Sequence, residues 1–215
     1  MKNLITFEGI EGSGKSTQIK LAAEYLIKRN VPVVVTQEPS GTDIGRKIGN
    51  ILFNREHSHL CAEAEVFLFC AARAQHVREV IMPALEQNKI VLCDRFSDAT
   101  YAYQGFGRGL NQEFIKLIND YSSMLLKPDM TLLFDLPVEI GLQRATARND
   151  KLKEPAATDR FERENLEFHR RIREGYLDIS RKEPQRFHLI DASRDVDVIQ
   201  EEVCRCINDF INLQN

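Results

Sequence analysis

Directly behind the short apolar run Leu4-Ile5-Thr6-Phe7 stands Gly9-Ile10-Glu11-Gly12-Ser13-Gly14-Lys15-Ser16-Thr17. Every fixed position of the pattern G-x-x-x-x-G-K-[ST] is filled, with a strand-like run before it and a helical pattern opening at Lys15, the context a phosphate-binding loop requires. The glycines permit a backbone that aims several N–H groups at one anion. The first turn of the following helix adds unpaired N–H groups and the positive end of its dipole. Lys15 is expected to reach the β- and γ-phosphates of a nucleoside triphosphate, and the Ser16 hydroxyl to hold Mg²⁺.

Four further apolar runs follow: Val31–Thr36, Ile90–Cys93, Thr131–Asp135 and Phe187–Ile190. They are short, continuous and rich in Val, Ile, Leu and Phe, as parallel strands covered on both faces are. Helical patterns lie between them. Ile19, Ala22, Ala23, Leu26 and Ile27 form one apolar stripe that ends at Asn30, a candidate left-handed cap. Val196, Ile199, Val203, Ile207 and Phe210 form another, expected to pack on the sheet. Alternating strands and helices predict an α/β, doubly wound parallel sheet, with ligands gathered outside the carboxyl ends of its strands.

Composition narrows the partners. Over 215 residues, 43% are hydrophobic, 28% are charged and the net charge is −3. That size suits one α/β domain, and the balance argues against a general nucleic-acid binder. No apolar run approaches the length of a membrane span, and the opening residues show no signal-peptide pattern. The five cysteines lack C-x-x-C spacing, and Cys61, Cys70 and Cys93 lie among apolar residues, so buried thiols in a reducing cytoplasm are expected.

The expected strand ends carry polar chemistry. Asp94 closes the third strand and reads as a second anchor for Mg²⁺ or as a helix N-cap, with the nearby phosphate loop favouring the metal. Arg95 must then lie close to the phosphates, and a guanidinium that keeps its proton suits a second, acceptor phosphate. Phe69 and Arg73 share a helix face beside Glu65 within a helix expected over 62–85. They could stack on a base and bond its edge, or be a core aromatic with an arginine passing over it. The run 144–163 is crowded with charge and holds Arg144, Arg148, Pro155 and Arg160. Alone it reads as a wet surface loop. Next to a triphosphate site it reads as a lid that brings cations to the transferring phosphoryl group.

Taken in order, these segments resemble the bacterial thymidylate kinases, of the nucleoside monophosphate kinase group, over essentially the whole chain. The resemblance is carried by 7–17, by Glu38-Pro39 with Gly41-Thr42, by Phe69-x-x-x-Arg73 and by Asp94-Arg95. Thr100-Tyr101-Ala102-Tyr103-Gln104-Gly105 and Asp159-Arg160-Phe161-Glu162 complete it. It implies a P-loop NTPase three-layer sandwich, a five-stranded parallel sheet flanked by helices, as one domain over 1–215 with a short charged lid at about 144–163. The implied reaction moves the γ-phosphoryl of ATP to dTMP with Mg²⁺, in a cytoplasmic homodimer. Gly9, Gly12, Ser13, Gly14, Lys15, Ser16, Thr17 and Arg144 would bind ATP, with Ser16 and Asp94 at the metal. Phe69 would stack on thymine and Arg73 bond its edge, beside Glu38 and Pro39. Thr100 and Gln104 would line the base, Tyr103 would crowd the sugar 2′ position, and Arg95 would hold the dTMP phosphate. Glu11 would lie near the 3′-hydroxyl and the metal, and Lys15, Arg95, Arg148, Glu11 and Arg160 make up the implied catalytic set.

Two positions depart from the Arg-Glu-Pro-Gly-Gly-Thr common in that family: Gln37 removes a charge, and Ser40 gives up a glycine's access to positive φ, so a changed loop is expected there. The stretch between Arg148 and Asp159 is also a few residues longer than in compact bacterial examples. A deoxynucleoside kinase is the nearest alternative. It would need a general base, for which Glu38 is the candidate. A GTP-dependent switch would carry an Asn-Lys-x-Asp guanine reader, which Asn149-Asp150-Lys151 is not.

Overall fold

The computed structural model describes residues 3–152 and 160–212. Residues 153–159, with Pro155 and Asp159 of the expected lid, lie outside the described residues. The strands are β1 (Leu4–Glu8), β2 (Val33–Gln37), β3 (Ile90–Asp94), β4 (Met130–Asp135) and β5 (Phe187–Asp191). All pair in parallel in the order β2-β3-β1-β4-β5. The central strands β1, β3 and β4 are buried almost throughout. The edge strands are not: Val35 of β2 and Leu189 of β5 are exposed, because an edge strand lacks one lateral neighbour and full cover.

Helix α1 (Lys15–Lys28) buries Ile19, Ala22, Ala23 and Leu26, and the chain turns at Asn30 with φ 58° as expected of a left-handed cap. Ile27, placed on the same stripe by its spacing, faces solvent. Helix α9 (Val196–Asn212) buries Ile199, Val203 and Ile207 against the common core, while Val196 at its first turn is exposed. It lies along α1, where Tyr25 donates a hydrogen bond to Asn208 at 2.8 Å.

The remaining helices are α2 (Asp43–Phe53), α3 (Ala62–His76), α4 (Met82–Glu86), α5 (Ser97–Thr100), α6 (Gln112–Ser122), α7 (Val138–Leu152) and α8 (Leu166–Lys182). The helix expected over 62–85 is one run of chain widened to a π turn at Val77–Ile81. Pro83 explains the widening: it has no N–H, and its ring excludes the carbonyl four residues back. A second π segment, Tyr101–Gly107, follows α5 and packs on α8. Cys70 and Cys93 are buried as expected, whereas Cys61 is exposed at the cap position before α3, and all five thiols are free.

The register sets the functional end of the sheet. Phe7 and Gln37 both pair with Asp94, so β1, β2 and β3 end level and deliver Glu8, Asp94 and Glu38 side by side. Under this edge Phe7 and Phe134 stack at 5.8 Å between ring centres, both fully buried. Phe134→Ala removes that contact from a site that cannot collapse and should cost about 3–5 kcal/mol. A urea unfolding curve checks this.

Candidate active site

Gly9, Gly12 and Gly14 hold φ of 140°, 69° and 88°, values that side chains rarely adopt. A Cβ on Gly12 would also collide with the carbonyl of Gly141 in α7, so this loop is moulded onto its neighbours. Lys15 is buried, and its ammonium donates to the carbonyls of Gly9 at 2.9 Å and Ile10 at 2.8 Å and to Ser13 Oγ at 3.1 Å. Burial, then the charge of Arg95, lowers its pKa to about 8 against the opposing pull of Asp94, Glu11 and Glu8. An anion placed here would relieve both effects. Ser16 Oγ donates to Asp94 Oδ2 at 2.9 Å, joining the helix start to the end of β3.

Arg95 is the first residue beyond β3 and sits at φ 67°, a strained value for a residue with a side chain. Its guanidinium donates to Tyr176 Oη at 3.0 Å, and that hydroxyl donates to Glu8 Oε2 at 2.8 Å. On the other side it lies 3.5 Å from Glu11 Oε1, to which the Tyr103 hydroxyl also donates, and 4.8 Å over the Tyr103 ring. Burial would lower the pKa of Arg95, but Tyr103, Tyr176, Glu11 and Glu8 hold it well above the usual value. Burial pushes Glu11 up too, yet contact with His169 and the charge of Arg95 bring it down to about 2. Glu8 goes the other way. Burial and the charge of Asp98 raise it to about 8, although it accepts from the Phe96 N–H at 2.7 Å.

Beside Arg95 opens a cavity walled by Phe69, Phe53 and Phe161, whose rings meet one another at 6.1–6.4 Å between centres. Arg73, only 1% exposed, forms its floor. Its guanidinium donates to Glu38 Oε2 at 2.8 Å, Asn119 Oδ1 at 2.6 Å, Thr100 Oγ1 at 2.8 Å and the Phe96 carbonyl at 3.2 Å. Gln104 donates its amide to Glu65 at 2.8 Å, which points its oxygen elsewhere and leaves an acceptor for a ligand. The cavity is an aromatic slot with a few fixed polar groups, the form that small-molecule sites take. It runs into the phosphate loop: Glu11, Glu38, Pro39, Phe53 and Arg95 line both.

The family model for thymidylate kinase matches residues 7–203. This chain belongs to the thymidylate kinase family. It is 54% identical over 205 residues to the thymidylate kinase of Syntrophus aciditrophicus, covering 95% of this chain and 94% of that one. The thymidylate kinase of Desulfovibrio desulfuricans is 50% identical over 190 residues, 88% of each chain. Among solved structures, the thymidylate kinase of Ehrlichia chaffeensis superposes with a TM-score of 0.76 at 35% identity, covering 96% of this chain and 98% of that one. The P-loop NTPase fold that the resemblance implied, with its five-stranded parallel sheet, is the fold found.

Most of the expected site residues meet around these two linked cavities. Gly12, Ser13, Gly14, Lys15, Ser16, Thr17, Asp94, Arg144 and Arg148 line the phosphate side. Phe69, Arg73, Thr100, Tyr103 and Gln104 line the aromatic side. Gly9 lies behind, offering its carbonyl to Lys15. Arg144 is held by the carbonyls of Ala192 at 2.7 Å and Ser193 at 3.2 Å, and Arg148 pairs with Glu162 at 2.6 Å. Arg160 stands apart from the phosphates. It is buried, donating to Glu65 at 2.7 Å and to the Leu52 carbonyl at 3.1 Å, because Glu65 collects it together with Arg108. Ser40 does not need positive φ, so the serine costs the loop nothing. The glycine that matters there is Gly41, where a Cβ would run into His76. Sequence reasoning gave no role to Glu8, Phe53, Phe161, His169 or Tyr176. The last two left a signal, polar heads on the buried face that α8 forms with Phe168, Ile172 and Ile179.

Glu8 gives the site a pH signature. Folded, it keeps its proton up to about pH 8, while the ordinary carboxyl value is 4.5. Between those values the folded state binds more protons, so this group's contribution to stability is complete below the lower value and is lost as pH rises through the upper one. Glu8→Gln should flatten that fall, which urea midpoints at about pH 5 and about pH 8 will report.

Proposed function

We propose that this chain transfers the γ-phosphoryl group of ATP to dTMP, giving dTDP and ADP. The observation that carries the reading is the junction of the two cavities at Arg95: a triphosphate cradle and an aromatic base slot share one cation. Lys15 and the loop amides would hold ATP's phosphates, with Arg144 beside the adenine. In the slot Phe69 would stack on thymine, Arg73 and Gln104 read its edge, and Thr100 and Pro39 close its sides. Tyr103, in the lining of the slot, would crowd the sugar 2′ position, and Glu11 would lie near the 3′-hydroxyl. Ser16 and Asp94, already in contact, suit Mg²⁺, which would neutralise triphosphate charge.

The acceptor phosphate has a second pKa of about 6 and is already largely anionic at neutral pH, so its oxygen attacks without a general base. What remains is to bring two anions together in line, by positioning and by opposite charge. Arg95 would grip the dTMP phosphate and Arg148 would cover the transferring group after leaving Glu162. Arg160 we assign instead to holding Glu65. Glu38, the base that a deoxynucleoside kinase would need, has its oxygens taken by Arg73 at 2.8 Å and His76 at 3.3 Å. We read the chain as one kinase domain with an arginine-bearing lid at about 144–163, working in the reducing cytoplasm. Among the described residues no helix is long and apolar enough to cross a membrane.

The homodimer is also a proposal, and α3 and α6 offer its surface. Leu117 and Tyr121 are 68% and 88% exposed beside Phe67, along a groove lined by Cys70, Ala71, Ala74 and Ile118. Such a patch marks an association surface. Leu117→Asp should convert a dimer to monomers in sedimentation velocity.

Arg148→Ala should lower kcat by about 10³ with little change in the KM for dTMP, by analogy with other arginines that stabilise phosphoryl transfer. Arg95→Ala should raise the KM for dTMP as well. A coupled assay of ADP release across dTMP, dUMP and thymidine tests the whole reading, and thymidine turning over faster than dTMP would overturn it.

A further inference from the structure

The two oxygens of Glu11 keep different company. Oε1 faces the cavity, accepting from Tyr103 and lying 3.5 Å from Arg95. Oε2 is buried and faces α8, where Nδ1 of His169 stands 3.2 Å away. His169 is fully buried, and that approach is not aligned for a hydrogen bond. Among the described residues, Glu11 Oε2 and both ring nitrogens of His169 have no other hydrogen-bond partner.

An unpaired buried polar group is destabilising, so an imidazole here is a poor filler for an apolar stripe. A leucine would pack beside Phe168 and Ile172 without that cost. The ring does, however, meet the one oxygen of Glu11 that nothing else serves. A carboxyl group turns easily about its terminal torsion, and a single anchor on Oε1 would let it swing with Arg95. A second donor on the other oxygen fixes its plane.

We propose that His169 is a positioning residue: its Nδ1–H, 3.2 Å from Oε2 but out of line with it, comes into line when dTMP binds and then holds the Glu11 carboxylate so that Oε1 is presented to the sugar. This rests on the role given to Glu11 above. The low pKa of Glu11 agrees with a donor on its buried side.

The test is a double-mutant cycle on the full chain, with kcat and KM for dTMP measured for Glu11→Gln, His169→Leu and the pair, and melting curves alongside. Loss of a hydrogen bond to a charged group predicts that His169→Leu lowers kcat/KM about tenfold or more, mainly through KM. In the Glu11→Gln background the same change should have almost no further effect, because the amide oxygen stays with Tyr103 and Arg95 and an NH₂, which cannot accept, faces His169. His169→Asn, whose amide N–H overlies Nδ1–H, should recover most of the loss and remains informative if the leucine variant does not fold. Equal losses in both backgrounds overturn the proposal, as does a well-folded His169→Asn no better than His169→Leu, or a His169→Leu of normal activity. A harmless Glu11→Gln would show that the assignment of Glu11 itself is at fault and would remove the basis for His169 with it.

Discussion

Two neighbouring cations beyond the ends of adjacent strands, Lys15 buried and Arg95 partly buried, govern the architecture of this site. Lys15 and Arg95 follow β1 and β3, whose register brings their ends level, and the charge of Arg95 makes Lys15 harder to keep charged. Nothing in the sheet itself resolves that repulsion. The chain resolves it with carboxylates placed behind the cations, Asp94 and Glu11 beside Lys15 and Glu11 beside Arg95, while the Tyr176 hydroxyl accepts from Arg95 and donates on to Glu8, which keeps its proton. The compensation is unequal. Arg95 is held firmly charged, whereas Lys15 is left with a pKa of about 8, its donors borrowed by the loop's own carbonyls. The arrangement is therefore complete only when an anion arrives, and it arrives at the lysine. Strain at Arg95, φ 67°, belongs to the same account, since the turn sends its guanidinium back over Tyr103 and toward the phosphate loop.

The base slot is built on a different rule. Arg73 and Glu65 lie deep in the protein, and each is bound on several sides: Arg73 by Glu38, Asn119 and Thr100, Glu65 by Gln104, Arg108 and Arg160. Buried ion pairs contribute little net stability once desolvation is counted, but they leave few alternative geometries. Here they fix Thr100 and Gln104, whose polar atoms line the slot, Arg73 and Glu38 from within its lining and Glu65 from behind it. Arg160 shows how the two rules meet. Its guanidinium serves Glu65 while the next residue, Phe161, closes the aromatic wall.

Much of this was legible in the residues alone, and the pattern of success has a physical basis. The phosphate loop, the five strands and the left-handed cap at Asn30 are written in local spacing, and the strand bounds fall within about two residues of those found. Phe69 and Arg73 were legible as neighbours on one helix face, though not as parts of a closed network whose other members are distant in sequence. Burial of individual stripe residues was harder. Ile27 and Val196 match their helical periods yet face solvent, because a period gives the face of a helix and not how much of that face is covered, and Cys61 sits in apolar sequence but at an exposed helix start. Glu8 was hidden for another reason. Its character comes from total burial next to Asp98, which no spacing reveals.

Helix α8 connects these observations. Its buried face presents His169 to Glu11 and Tyr176 to Glu8 and Arg95, seven residues and two helical turns apart. One rigid element thus touches the P-loop acid, the acid at the end of β1 and the cation after β3 at once. The same helix packs along the π segment that carries Tyr103 and Gln104. A rotation of α8 by even part of a turn would move the partners of Glu11, Glu8 and Arg95 together. Its apolar stripe, anchored by Phe168, Ile172 and Ile179 in the main core, is what prevents that rotation. Packing energy in this helix is converted into the alignment of charges that are remote from one another in sequence.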